Sequence, residues 1–338
     1  MITIDGSEGE GGGQVLRNAC ALSLVTGEPF VIENVRGGRE KPGLMRQHMT
    51  AIEAACAIGG GECEGLAIGS PRVAFRPGKV RPGDYTFSVG TAGSTGLVLQ
   101  TVLMPLALAD APSRLVLEGG THAAMAPPFE FIARTFLPIV ARMGPQVTAR
   151  LTRHGFYPRG GGRIEIEIQP APLRRIECLD RGAATGQAAQ ALFASLPGEI
   201  AARLIKAARK ELPAWDEQAF AIRELPADQG PGVVLLLEAA FEHVTEVVAG
   251  FGKLGVTAEK LGHTAGKRMA GYCASNAFAG PYLQDQLPLP FALAGGGAFT
   301  SVKLSQHTRT AAEIVERFTG RKVRFGELAG GAQLVEVC

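Results

Sequence analysis

A chain of 338 residues, 46% hydrophobic and 20% charged, has material for a large buried core and for two or three domains. Its net charge of +2 excludes a protein that coats nucleic acid without specificity, while leaving room for a local basic patch. No apolar stretch reaches the ~18 residues of a membrane span, and the start lacks the pattern of a signal peptide, so neither is expected.

In chain order, a strand is expected at 2–4, then a glycine-rich loop, a helix over 14–26 and a strand over 29–35. Pro42 and Gly43 precede a second helix with the apolar stripe Met45, Met49, Ile52 and Cys56, ended by the glycines at 59–61. Strands near 62–67 and 72–76 complete the unit. The same order returns: a strand at 85–89, a small-residue loop at 90–94, an apolar helix to about 109 and a strand at 114–118. Pro127 and Pro128 open the next helix, striped by Phe129, Ile132, Phe136 and Val140 and capped by Gly144. Strands near 147–152 and 163–169 follow.

A third copy starts at 175–179, breaks off and resumes near Pro281 with a helix, a strand at 299–302, a helix over 307–318 and strands near 323–325 and 333–337. Self-similar architecture at a spacing of roughly 80 residues predicts an internal repeat. The repeats cover about 1–80, 81–170, and 171–180 plus 277–338. Residues 1–180 and 277–338 then form one repeat-built body, and 181–276 form a smaller inserted domain. The insert carries a strand near 183–196, a helix over 197–212, strands near 218–224, 233–240 and 244–249, and a helix over 257–275.

The 45 glycines cluster at 9–13, 59–61, 119–120, 160–162, 295–297 and 330–331, where backbone can turn tightly or approach a ligand. Six cysteines without a C-x-x-C pair read as reduced and mostly buried, which fits the cytoplasm.

Several residues can carry chemistry. The loop from Gly9 to Gln14 lies between a strand and a helix, where free N–H groups and the helix dipole favour a phosphate. No Gly-Lys-Ser/Thr follows, so it is not a P-loop and reads equally as a tight turn. Arg17, one turn into the helix, can reach a phosphate; Glu10 suits a metal, a ribose hydroxyl or solvent. Arg36, Arg39, Lys41 and Arg46 make a basic patch at a helix start, either a phosphate site or a charged surface loop. His48 shares a face with Leu44, Ala51 and Ala55 and reads as a core-edge histidine or a ligand. Gln100, the one long polar side chain in an apolar helix, needs a partner in backbone or ligand.

The stretch from His154 to the glycines at 160–162 reads as a hairpin loop, and its composition suggests close backbone approach to RNA. Tyr282, Gln284, Asp285 and Gln286 interrupt an apolar stretch, as a nucleobase or metal site or as a solvent-facing turn. His307 falls at a helix start, where the dipole disfavours the imidazolium and attracts phosphate. A neutral histidine facing a triphosphate can attack the α-phosphorus and expel pyrophosphate; a plain surface histidine is the other reading.

Together these motifs resemble the RNA 3′-terminal phosphate cyclase family, in its ATP-dependent catalytic branch, over essentially the whole chain. The resemblance rests on Gly9 to Gln14 with Arg17, on Arg39, Lys41, Pro42, Gly43, Leu44, Arg46, Gln47 and His48, and on His154, Gly155, Pro158 and glycines 160–162. Asp228, Gln229, Gly230, Pro231 and Gly232 also match, as do Tyr282, Leu283, Asp285, Gln286 and Leu287. It implies an α+β fold of three βαβαββ repeats, similar to the C-terminal domain of translation initiation factor three, with a thioredoxin-like α/β insert. It also implies ATP-dependent conversion of an RNA 3′-terminal phosphate to a 2′,3′-cyclic phosphodiester.

His307 occupies the position of the family's adenylylated nucleophile. Glu10, Arg17, Arg39, Gln47, His48, Gln100 and Asp285 then line the ATP and phosphate site, with Leu283, Gln284 and Gln286 beside them and Pro127 and Tyr282 by the adenine. Arg17, Arg39 and Arg46 are the expected neutralisers of phosphate charge. The resemblance implies ATP and a divalent cation (Mg²⁺ or Mn²⁺) with ligands not assigned, RNA rather than DNA as substrate, and a cytoplasmic monomer or homodimer. One departure is the segment 122–128, less polar than the family pattern. A non-catalytic relative in ribosome biogenesis would lack His307, and an enolpyruvyl transferase of related architecture would lack the signature at 154–162.

Overall fold

The structure, a computed structural model, describes residues 1–124, 126–328 and 330–338; Met125, within the segment 122–128, lies outside the described residues. The first group of elements is β1 (Ile2–Asp5), α1 (Gly13–Thr26), β2 (Phe30–Glu33), α2 (Arg46–Gly59), β3 (Glu62–Glu64) and β4 (Val73–Arg76). The strands form a sheet in the order β1-β2-β4-β3, with the first pair parallel and the others antiparallel.

The second group is β5 (Asp84–Ser88), α3 (Thr95–Ala107), β6 (Ser113–Gly119), α4 (Phe129–Phe131), a π-helical turn (Ile132–Phe136), α5 (Leu137–Met143), β7 (Gln146–Arg153) and β8 (Gly162–Gln169). Its sheet runs β5-β6-β8-β7 with the same sense of pairing.

After β9 (Ile176–Cys178) come β10 (Ala184–Ala194), α6 (Gly198–Glu211), β11 (Phe220–Glu224), β12 (Gly232–Phe241), β13 (Thr245–Phe251) and α7 (Ala258–Ala274). β10 to β13 pair among themselves, β11-β10-β12-β13. The last group is α8 (Pro281–Gln286), α9 (Pro288–Leu293), β14 (Gly297–Ser301), α10 (Gln306–Thr319), β15 (Val323–Glu327) and β16 (Gln333–Val337). Its strands add to β9 in the order β9-β14-β16-β15, again with one parallel pair followed by antiparallel ones. The protein is thus a mixed α+β structure in which three sheets share one strand order.

Alternating burial along β7 and β8 leaves one sheet face in solvent, as period-two patterning requires. The helices meet on the inside: α1 packs on α2, α3 and α10, and α2 packs on α3. In α3 every residue except Gln100 is buried. Each fully buried Leu or Val contributes about 1.5–3 kcal/mol, so the roll of this helix is fixed and Gln100 cannot turn inward. One face of the β10–β13 sheet joins the large core through Leu192, Val234, Leu236 and Val247. The other face is covered by α6 and α7 in a second core.

Two expectations are corrected. The buried face of α2 is His48, Ala51, Ile52, Ala55 and Ile58, whereas Met45 is exposed and Met49 and Cys56 are half-buried. Alanines, not the larger side chains, let α2 approach its neighbours. Of the six cysteines, all free, only Cys20 and Cys178 are buried; Cys338 is exposed and the other three are intermediate. No helix among the described residues is long and apolar enough to cross a membrane.

Candidate active site

The inner helices leave a cleft of about 570 Å³ where α1, α2, α3, α8, α9 and α10 converge. Three of these helices, α1, α2 and α10, turn their N-termini to it through Gln14, His48 and His307. None of the three has an acidic residue in its first turn. Glu10, from the loop before α1, is a carboxylate beside two of these ends, and Arg39 pairs with it, so the three N-termini together still favour an anion.

The loop before α1 crosses to the far end of the chain: the Glu10 N–H donates to Thr310 Oγ1 at 2.9 Å. Gly9 has φ +63°, and a Cβ there would strike the same Thr310 hydroxyl. A Cβ on Gly13 would run into His48 Nε2. The sequence needs glycine at both positions to bring α1, α2 and α10 together.

The cationic wall consists of Arg17, Arg36 and Arg39. Arg17 Nε donates to Gln100 Oε1 at 3.1 Å; Gln100 thereby holds the guanidinium against the cleft. Burial lowers Arg17 to about 10, which still leaves it charged at neutral pH. Arg36 is anchored by 2.8 Å bonds to the Lys41 and Gly43 carbonyls. Arg39 pairs with Glu10 Oε1. Arg46 is exposed and does not line the cleft, whereas Arg36 does.

His48 and His307 face this wall as neutral rings. His48 Nδ1 accepts from the Met45 N–H at 3.2 Å, which puts the ring proton on Nε2, beside Gly13. Burial, with Arg17, Arg36 and Arg39 adding to it, lowers His48 to about 3.

His307 stands in the first turn of α10, with Nδ1 3.0 Å from Gln14 Oε1. The Gln14 amide is oriented by its Nε2, which donates to the Asp285 carbonyl at 3.3 Å, so its oxygen must face His307. His307 therefore carries its proton on Nδ1 and leaves the Nε2 lone pair free. Burial first, then Arg17 and Arg39, holds His307 below the ordinary imidazole range. Its side chain remains 45% exposed, open to a ligand.

The start of α10 is held by α8. Ser305 Oγ caps the helix at the Thr308 N–H, 2.9 Å away, and donates to Asp285 Oδ1. Gln284 Oε1 accepts from the Ser305 N–H at 3.0 Å and from Thr308 Oγ1 at 2.8 Å. Burial raises Asp285 to about 6 against the opposing bonds from Ser305 and Thr308. The other side of the cleft is apolar, with Leu97, Leu103, Met104, Pro127, Phe136 and Tyr282.

Of the expected site residues, the cleft gathers Glu10, Arg17, Arg39, Gln47, His48, Gln100, Pro127, Tyr282, Asp285, Gln286 and His307. Leu283 and Gln284 do not line it. Leu283 is fully buried in the core, and Gln284, 1% exposed, bonds to the start of α10. In a helix, Tyr282, Asp285 and Gln286 share a face at i, i+3 and i+4 while the two residues between turn away. Gln14, Asn18 and Arg36 line the cleft without having been singled out as site residues. Gln14 ended the noted glycine loop, and Arg36 was noted only as part of the basic patch.

Among the described residues, one further group of possible metal ligands is His122, Glu130 and His154. It is internally satisfied: His122 Nε2 lies 2.8 Å from Glu130 Oε2, and His154 Nδ1 lies 2.9 Å from Gln229 Oε1.

A family model described as RNA 3′-terminal phosphate cyclase matches residues 8–325. A protein of Koribacter versatilis named RNA 3′-terminal phosphate cyclase is 51% identical over 94% of this chain and 90% of its own length. Proteins of the same name from Ralstonia nicotianae and Ectopseudomonas mendocina are 46% and 45% identical over 94% of this chain and 91% and 92% of theirs. The length of the match, together with these identities, shows that the chain belongs to the RNA 3′-terminal phosphate cyclase family.

Proposed function

We propose that this protein converts an RNA 3′-terminal phosphate to a 2′,3′-cyclic phosphodiester using ATP, through an adenylyl group carried on His307. The observation that carries this reading is the His307 ring: neutral, open, with Nε2 unprotonated beside three guanidinium groups and three helix N-termini. The apolar side of the cleft, with Pro127 and Tyr282, suits a purine, and the cationic side suits its phosphates.

His307 Nε2 attacks the α-phosphorus of ATP, the N–P bond forms and pyrophosphate leaves. An oxygen of the RNA 3′-phosphate next displaces His307 from the adenylyl phosphorus, giving an RNA-phosphate-AMP anhydride. The 2′-hydroxyl then attacks the RNA phosphorus, loses its proton and expels AMP. This last step is intramolecular, so proximity lowers much of its barrier. Only RNA has the 2′-hydroxyl, which sets RNA above DNA as substrate. Arg17, Arg36 and Arg39 neutralise phosphate charge as it shifts.

Glu10 Oε2 is buried beside His307, 3.7 Å from its Nδ1, and has no hydrogen-bond partner among the described residues. An unsatisfied hard oxygen donor fits Mg²⁺ or Mn²⁺; Glu10 would hold that cation, whose charge would stabilise the departing pyrophosphate. The shared strand order of three sheets supports a body of three βαβαββ repeats. The order β11-β10-β12-β13, with β10 and β11 parallel, supports a thioredoxin-like insert over 181–276.

Incubation with α-labelled ATP and a divalent cation tests the proposal. The expected result is an acid-labile, base-stable label on the protein, absent from His307→Asn. If the wild-type protein takes no label and leaves RNA 3′-phosphates unchanged, the proposal fails.

A further inference from the structure

A second groove, of about 390 Å³, opens beside the hairpin loop that joins β7 to β8. Its lining includes Arg153, Arg159 and Arg163 and the backbone of Gly90, Gly161 and Gly162. The loop residue Tyr157 is 73% exposed, although large aromatic side chains are seldom left in water. Arg153 and Arg163 are paired with Asp228 and Glu118, whereas Arg159 has no carboxylate partner among the described residues and donates to the Gly230 carbonyl at 3.0 Å.

The loop is braced from behind. Arg153, His154 and Arg159 all bond to residues 228–230, at the turn before β12. Phe156 sits against Gly232, where a Cβ would collide with its ring. The two sequence motifs at 154–162 and 228–232 therefore build one ledge, from which Tyr157 projects into solvent and on which the Gly230 carbonyl holds Arg159 at the groove. A short loop links the groove to the cleft. Gly90 and Thr91 line the groove, and three residues on, the Ser94 N–H donates at 3.3 Å to Gln47, which lines the cleft.

We infer that this groove binds the single-stranded RNA segment upstream of the 3′ end, with Arg159 on a backbone phosphate and Tyr157 stacked on a base. An arginine-lined groove with an outward aromatic is how single strands are held without regard to sequence. The inference rests on the reading that the cleft takes the RNA 3′ end, and the loop from Gly90 to Ser94 that links the two sites offers upstream nucleotides a way from one to the other.

The test measures anisotropy of 3′-phosphorylated oligoribonucleotides, one a dinucleotide and one a longer single strand, and also self-labelling with ATP. In Tyr157→Ala and Arg159→Ala, affinity for the longer strand should fall roughly tenfold each, and Arg159→Ala should lower the salt slope by about one. Tyr157→Phe should bind as wild type does. Dinucleotide binding and self-labelling should stay unchanged in all three. If the longer strand binds the alanine variants undiminished, or if both RNAs lose affinity equally, the groove is not an RNA site. A wild-type protein that fails to label itself sinks the cyclase reading instead, because the binding measurement needs no turnover.

Discussion

Gln14 shows how one amide fixes the chemistry of another side chain. Its nitrogen is committed to the Asp285 carbonyl, so its oxygen selects the His307 tautomer. Gln14→Met keeps the volume and removes the acceptor. We expect self-labelling by ATP to slow about 10–100-fold with a small change in the ATP concentration for half-saturation, as when the partner orienting a histidine is lost.

The charge around His307 sets a second expectation. Because burial, Arg17 and Arg39 hold the ring below its ordinary 6.5, the proposed nucleophile stays neutral into mildly acidic solution. The acid limb of the labelling rate should lie below pH 6.5 and move upward in Arg39→Ala, a shift that loss of phosphate affinity alone would not produce. A limb at or above 6.5 in the wild-type protein would contradict this assignment. Gln14 could not be picked out from its neighbours in the sequence, because its partner lies 293 residues away. The choice among Tyr282 to Gln286 was available, since helical spacing alone separates Tyr282, Asp285 and Gln286 from the two that turn inward.

Helix α8 is only six residues long, yet it aims α10. Gln284 satisfies the Ser305 N–H and Thr308 Oγ1 in a buried setting. Gln284→Ala should cost about 1–3 kcal/mol of stability through the orphaned groups, read by urea unfolding, and should slow labelling although the side chain never touches the cleft. Unchanged labelling at full stability loss would show that Gln284 does not position His307.

The π-helical turn Ile132–Phe136 was absent from the expected pattern, although its cause stands in the sequence. Pro138 lacks an N–H and crowds the carbonyl four residues back. The wider winding, with the Leu137 N–H bonded to Ile132 O, gives that carbonyl room. The stripe read for this helix holds across the turn: Ile132, Phe136 and Val140 are buried in the core, and Phe129, half-buried, packs against it. Element order was legible because turns and periodicity are local signals. The face of α2 was not, because close packing of small residues depends on which helices arrive opposite.

Across the whole molecule, the sheet of β10 to β13 is joined to the rest through shared core and through one buried acid. Glu246 on β13 is fully buried against Gly280, and neither carboxylate oxygen has a hydrogen-bond partner among the described residues. Burial pushes it up to about 8, partly opposed by the nearby Gly280 N–H, which falls short of a formed hydrogen bond, and by Arg268. The folded protein thus holds a proton that the unfolded chain releases above 4.5, so stability falls as pH rises from there to about 8. Glu246→Gln removes that dependence. Its melting temperature should gain on the wild type as pH rises, by roughly 2–4 °C for each kcal/mol relieved, and a constant gap across pH would show that Glu246 does not titrate in this window.

The 2.9 Å bond from the Glu10 N–H to Thr310 Oγ1 spans 300 residues of chain. During synthesis, the glycine loop and the cleft arginines that follow it are made well before the helix that completes their cleft. A ribosome-bound chain therefore lacks His307, the proposed nucleophile, until α10 has been made. On the proposed mechanism, such a chain stays chemically silent toward cellular nucleotides, and truncation or stalling before α10 leaves a protein that ATP cannot label.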